Sequence, residues 1–143
     1  LSFDTKERIN NLWVIHDHDY IINLSPELKT KKNKGSYEQL PPVKHPLVQT
    51  HPVTRKKSLF LSPHTMVNID GFNKKEGRKL LDDLIDHSIQ TKYVYKHEWR
   101  DDDIIMWDNR CTMHSVEPFD NRKIKRIMHR VTLVGENKPI PVL

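Results

Sequence analysis

The chain has a single cysteine, Cys111, in 143 residues. An internal disulfide framework is therefore excluded, and a reducing cytoplasm is the expected compartment. No run of 18 apolar residues occurs and no secretory leader is visible, so the sequence reads as soluble, with no membrane partner. Basic residues outnumber acidic ones, 24 to 19, and the pI is near 9.3. The positive charge is scattered, however, and no RNP, zinc-finger or helix-turn-helix pattern accompanies it. Nucleic acid is not an expected partner. Two metal patterns are missing as well. A His-x-carboxylate motif fails at His16 and at His18, because His18 and Tyr20 stand two residues on. Asp101-Asp102-Asp103 lacks the spacing of an EF-hand loop. His45, His51 and His64 lie six and thirteen residues apart, which is no cluster geometry, and they read as structural or surface residues. Cys111 reads as a small buried hydrophobe rather than a catalytic thiol.

A length of 143 residues fits one domain. The pattern predicts a helix from Ser2 to about Asp17, with Asp4 and Glu7 at capping-box spacing and Ile9, Leu12, Trp13 and His16 on one stripe. His16-Asp17-His18-Asp19 then reads as a polar helix end running into a loop, with metal binding as the lesser alternative. Residues 25–39 are polar and Lys-rich, as in a surface loop. Residues 41–52 are punctuated by proline and extended. Residues 53–57 read as a hairpin turn and 58–62 as a strand. A second helix is expected over 73–90, capped by Asn73, with Leu80, Leu81, Leu84, Ile85 and Ile89 buried. Residues 93–99 alternate as a half-buried strand does, and 100–103 form a turn.

The stretch Trp107-Asp108-Asn109-Arg110-Cys111-Thr112-Met113-His114 organises the rest. His114 stands where an apolar strand, Ile104 to Trp107, runs out. Sixteen residues on, Arg130 closes an alternating segment in which Arg126, Met128, Arg130 and Thr132 share one face. Ile127, His129, Val131 and Leu133 share the other. Two arginines on one face of a strand that otherwise reads as core call for an anionic partner, because a buried unpaired charge is costly. An imidazole beside them suggests a metal ligand next to an anion pocket. The alternative is that both arginines are exposed strand cations.

These two runs, WDNRCTMH and RIMHRVTLVG, resemble the C-terminal signature of the taurine and phenoxyacetate dioxygenases. Those enzymes are iron(II)- and 2-oxoglutarate-dependent oxygenases of the clavaminate-synthase-like superfamily. The resemblance continues upstream through PPVKHPLVQTHPVT, KSLFLSPHT, EGRKLL and YVYKHEWR, and so covers nearly the whole chain. It implies a mainly β fold with flanking helices, a double-stranded β-helix (jelly roll), of which residues 1–143 would be the C-terminal half. It implies hydroxylation of a small acidic organic molecule, of sulfonate or aryloxy-acid type, by dioxygen with release of succinate and carbon dioxide. His114 would be one iron(II) ligand; the other two, an HxD pair, would lie upstream of Leu1, leaving this chain inactive by itself. Arg126 would hold the distal carboxylate of 2-oxoglutarate, and Arg130 the cosubstrate or the substrate's acidic group. Trp107 and Asn109 would shape the site rim, and Asp108 would be a structural residue of the turn. Residues 25–39 would be a lid over the substrate or merely a solvated insertion. Relatives usually carry glycine in the turn at Arg55-Lys56, and Gly-Asp where Asp102-Asp103 stand. The resemblance leaves room for a homo-oligomer. A reading of another class is a non-catalytic jelly-roll module that binds a small anion through Arg126 and Arg130.

Overall fold

Ser2 begins the first helix, because its hydroxyl accepts the amide of Thr5 and so satisfies a donor that the first turn leaves unpaired. The computed structural model describes residues 1–24, 40–120, 122–123, 125–135 and 142. The first helix, α1 (Phe3–Ile9), is shorter than the sequence pattern predicts. It stops at Asn10, and Trp13–His16 forms a strand, β1. Trp13, Val14 and Ile15 are aromatic or β-branched and favour strand over helix. Their alternation puts Val14 and His16 inside, with Trp13 exposed. His16 is thus the buried end of a strand and not a polar helix end. A short helix, α2 (Tyr20–Leu24), follows.

β1 is the centre of a three-stranded antiparallel sheet. On one side it pairs with β2 (Val43–Pro46), and on the other with β5 (Met66–Ile69), where the register shifts between Ile15 and His16. A second sheet pairs β3 (Val48–Thr50) with β4 (Lys57–Leu59). Leu47 stitches the two sheets together. Its amide donates to the Leu12 carbonyl and its carbonyl accepts from Phe60, each at 2.8 Å, and its side chain is fully buried. The turn from β3 to β4 lies where expected, although its strand is shorter. Arg55 takes φ 60° there and Asp102 takes φ 68° in a later turn, the two places where the family resemblance puts glycine. That conformation is the one glycine adopts at least cost.

Asn73 caps α3 (Lys74–Ser88), as the sequence predicts, its side chain accepting the Glu76 amide. Leu80, Leu81 and Leu84 pack into a core with Ile9, Val14, Leu47, Val48, Leu61, Met66 and Ile69, and Ile85 lies against it. Ile89 lies beyond the last helical residue and is exposed. Gly77 is buried where α3 meets β5, and a Cβ there would overlap the Asn68 side chain. Asn68 cannot simply swing aside, because its Nδ2 donates to the Phe72 carbonyl at 2.9 Å.

The fold is therefore mainly β with flanking helices, its two antiparallel sheets forming part of a double-stranded β-helix. Beyond the 3-10 turn Thr91–Tyr93, no strand forms among the described residues. The strands expected over 93–99, over 104–107 and around Arg126 to Leu133 are absent there. A strand needs a ladder partner for its backbone groups and cover for its apolar face. Neither is offered by the described residues, and Ile104, Met106, Val131 and Leu133 are all at least 86% exposed. The loop expected over 25–39 lies outside the described residues.

Two measurements test this packing. Burial, and secondarily the charge of His45, lowers the His16 pKa from 6.5 to about 4. Unfolded chains then take up a proton between pH 6.5 and 4 that folded chains refuse, so the contribution of His16 is complete above pH 6.5 and lost as pH falls to 4. The loss should reach about 3 kcal/mol. A His16→Gln variant should show a shallower decline of urea stability between pH 7 and 4.5; equal declines would contradict the assignment. Gly77→Ala gains helix propensity of about 0.5–1 kcal/mol but overpacks a filled site at about 1–3 kcal/mol. A net loss in urea denaturation is expected, and a gain would show that Asn68 yields freely.

Candidate functional site

The only two buried polar side chains of the β3–β4 unit, Gln49 and His51, both reach out of the hairpin to the same turn of chain. His51 is 7% exposed and Gln49 4%. The Nδ1 of His51 accepts the amides of Val53 and Thr54 at 3.3 and 3.1 Å. A nitrogen that accepts carries no proton, so Nε2 is the protonated one. Nε2 then donates to Oδ2 of Asp108 at 3.0 Å. Gln49 donates through Nε2 to the carbonyl of Arg110. The backbone of His51 is itself fixed: its amide donates to Lys56 and its carbonyl accepts from Arg55, each at 2.9 Å.

Asp108 builds the turn on which these bonds converge. Its Oδ1 accepts the Arg110 amide at 2.9 Å and the Arg110 Nε at 2.8 Å. Its carbonyl accepts the Cys111 and Thr112 amides at 3.2 and 3.1 Å and the Thr112 hydroxyl at 2.7 Å. The Arg110 guanidinium first, and then His51, hold the Asp108 carboxyl well below the usual carboxylate range. Asp108 is thus the structural residue that the sequence reading expects.

His114 follows two residues after the turn. It is exposed, and its ring lies 4.8 Å from that of Trp107, on the other side of the turn. Trp107 is oriented by the bond from its Nε1 to Oδ1 of Asn109 at 2.8 Å. Arg126 and Arg130 are exposed, and neither forms an ion pair among the described residues. No hydrogen bond or ion pair among those residues joins either arginine to His114. Cys111 is exposed rather than buried; its thiol donates to the Asp108 carbonyl at 3.8 Å.

Two groups could hold a metal. His51, Asp108 and Cys111 offer ligand atoms within 4.8 Å of one another. That cluster is unsuited to an ion: both ring nitrogens of His51 are engaged, and Asp108 is saturated by His51 and Arg110. The imidazole of His114 has no hydrogen-bond partner among the described residues and fits a metal well, but as one donor only. The sequence marks His51 only as a structural or surface histidine and does not single out Gln49. The available signal is a glutamine directly after the apolar pair Leu47-Val48. A polar side chain there is either exposed or bonded to something specific. No helix among the described residues is long and apolar enough to cross a membrane.

Comparison with known proteins adds the context for this turn. The family model described as taurine catabolism dioxygenase TauD, TfdA family matches residues 1–132. An alpha-ketoglutarate-dependent 2,4-dichlorophenoxyacetate dioxygenase from Burkholderia sp. (strain RASC) is 38% identical over 106 residues, covering 74% of this chain and 35% of that protein. An (S)-phenoxypropionate/alpha-ketoglutarate-dioxygenase from Sphingobium herbicidovorans is 34% identical over 141 residues, 95% of this chain and 48% of that one. The crystal structure of AAD-2 in complex with Mn(II) and N-oxalylglycine matches with a TM-score of 0.55 at 35% identity, over 70% of this chain and 38% of AAD-2. The chain thus spans less than half the length of these relatives. With the family's pattern running from α1 through the Asp108 turn to Arg130, the chain belongs to the TauD, TfdA family of dioxygenases.

Proposed function

We propose that residues 1–143 are the C-terminal part of a single catalytic domain of a cytoplasmic iron(II)- and 2-oxoglutarate-dependent dioxygenase. Its substrate is a small acidic organic molecule of sulfonate or aryloxy-acid type, which it hydroxylates with release of succinate and carbon dioxide. The observation that carries this reading is the family match over residues 1–132, which includes both the Asp108 turn and the free imidazole of His114. His114 serves as one iron ligand, with two further ligands outside this chain. Iron(II) held there supplies the activation of dioxygen, coupled to the oxidation of 2-oxoglutarate. Arg126 takes the distal carboxylate of 2-oxoglutarate, because a guanidinium fork matches a carboxylate in two parallel hydrogen bonds. Arg130, two strand steps on, takes the acidic group of the substrate or supports the cosubstrate.

The surface supports the same reading. Ile104, Met106, Val131, Leu133 and Val134 are each at least 86% exposed. Apolar side chains this exposed in two stretches of one chain fit surfaces that something else covers. A domain of the relatives' length would supply that cover along with the missing ligands. By itself the chain offers a single imidazole of a facial triad and is not expected to turn over.

In the whole protein, His114→Ala should abolish succinate formation. Arg126→Ala should raise the KM for 2-oxoglutarate by about 30-fold or more, as expected when one partner of a charged hydrogen-bonded pair is removed. Arg130→Ala should act chiefly on the KM of the prime substrate. Steady-state kinetics with each substrate varied in turn separates these effects. If neither arginine variant moves either constant, both are surface cations and the anion pocket is lost as an explanation.

A further inference from the structure

We infer that His51 is a positioning residue for His114: the buried ring sets the place of the imidazole by tethering the Asp108 turn to the β3–β4 hairpin. This rests on the reading of His114 as a metal ligand. The turn has ample bonds of its own, since Asp108 binds Arg110, Cys111 and Thr112 without help from elsewhere. Those bonds fix the turn's shape, not its position on the protein. Among the described residues, the side-chain bonds that reach it from the folded core come from His51 and Gln49. His51 is the stiffer of the two, because its other nitrogen accepts two amides of the hairpin turn and its backbone is bonded to Lys56 and Arg55. A glutamine side chain has more rotatable bonds and donates to a backbone carbonyl without the help of charge. The His51 bond runs to an ionised carboxylate and is the stronger kind.

The chain of constraint is therefore short. The hairpin holds His51, His51 holds Asp108, and Asp108 closes a turn that ends two residues before His114. Trp107, next to Asp108 on the other side, lies against the His114 ring at 4.8 Å, so both flanks of the imidazole follow the turn. A ligand placed loosely binds its metal less tightly and in a less regular geometry, and outer partners of a metal ligand typically matter about 10-fold or more in affinity.

Cobalt(II) is the probe, titrated into the whole protein, with its visible d–d bands recording coordination geometry and its affinity recording strength. His51→Leu should weaken cobalt binding about tenfold and alter the band pattern. His51→Gln keeps an Nε2 donor toward Asp108 and should recover most of both. Gln49→Leu, a milder cut of the second tether, should weaken binding less, and it keeps the inference testable if His51→Leu fails to fold. Val14→Ala lowers stability through the core without touching the turn and should leave affinity and spectrum unchanged. If His51→Leu folds and binds cobalt with wild-type affinity and spectrum while His114→Ala abolishes binding, His51 has no positioning role and the ligand reading stands. If His51→Leu and Val14→Ala weaken cobalt alike, the effect is only stability and the inference falls. If His114→Ala itself keeps wild-type cobalt affinity, the ligand reading falls and the inference with it.

Discussion

One imidazole joins two parts of this chain that are 57 residues apart in sequence, His51 in the hairpin and Asp108 in the turn. With the bond from Gln49 to the Arg110 carbonyl, it ties the Asp108 turn to the β3–β4 hairpin. From Val94 onward the chain forms no sheet ladder among the described residues, and its side chains are largely exposed. A segment without a core of its own takes its place from the few specific bonds that reach it. The tautomer is the physical key. With Nδ1 occupied by two backbone donors, the ring presents a single N–H, and it points to a carboxylate kept ionised by Arg110. The same arrangement explains why two polar side chains are buried in a three-residue strand and the loop after it. Each satisfies its own hydrogen-bonding demand by ordering the turn.

Much of the fold was legible in local sequence. Asn73 followed by Glu76 and a leucine stripe announced α3, and proline punctuation announced the extended path of residues 41–52. The sequence pattern overextends the first helix because Leu12, Trp13 and His16 continue a helical stripe from Ile9. What decided for β1 was the company of β2 and β5, which pair with it on both sides. Such a partnership is invisible in a short window of sequence. Ladder partners also explain the opposite mismatch: residues 93–99 and 126–133 alternate as strands do and 104–107 form an apolar run, but such a pattern alone does not make a strand where none of the described residues lies alongside.

The site was legible in a different way. The sequence marks Trp107 to His114 as a motif, with Asp108 as its structural member. It does not mark His51 as the partner, because a lone histidine gives no sign of a contact so far along the chain. The turns at Arg55 and Asp102 are informative in the same respect. Both adopt the left-handed backbone of a glycine without being glycine, so the fold imposes those turns more firmly than the local residues prefer them. Asp102 lies in a turn tied by Asp103, whose carboxylate meets both His97 Nε2 and the Arg100 amide. That use accounts for Asp103 in a cluster of three aspartates that otherwise suggests a cation.

The central claim is that the His51 ring is locked between the hairpin and Asp108, and nitrogen-15 NMR of the imidazole tests it most directly. Long-range proton–nitrogen correlation reports which ring nitrogen carries the proton. The account predicts a single Nε2–H tautomer for His51, with Nδ1 showing the shift of an unprotonated acceptor and the Nε2 proton protected from exchange. An Nδ1–H tautomer, or averaged shifts with a rapidly exchanging proton, would contradict it.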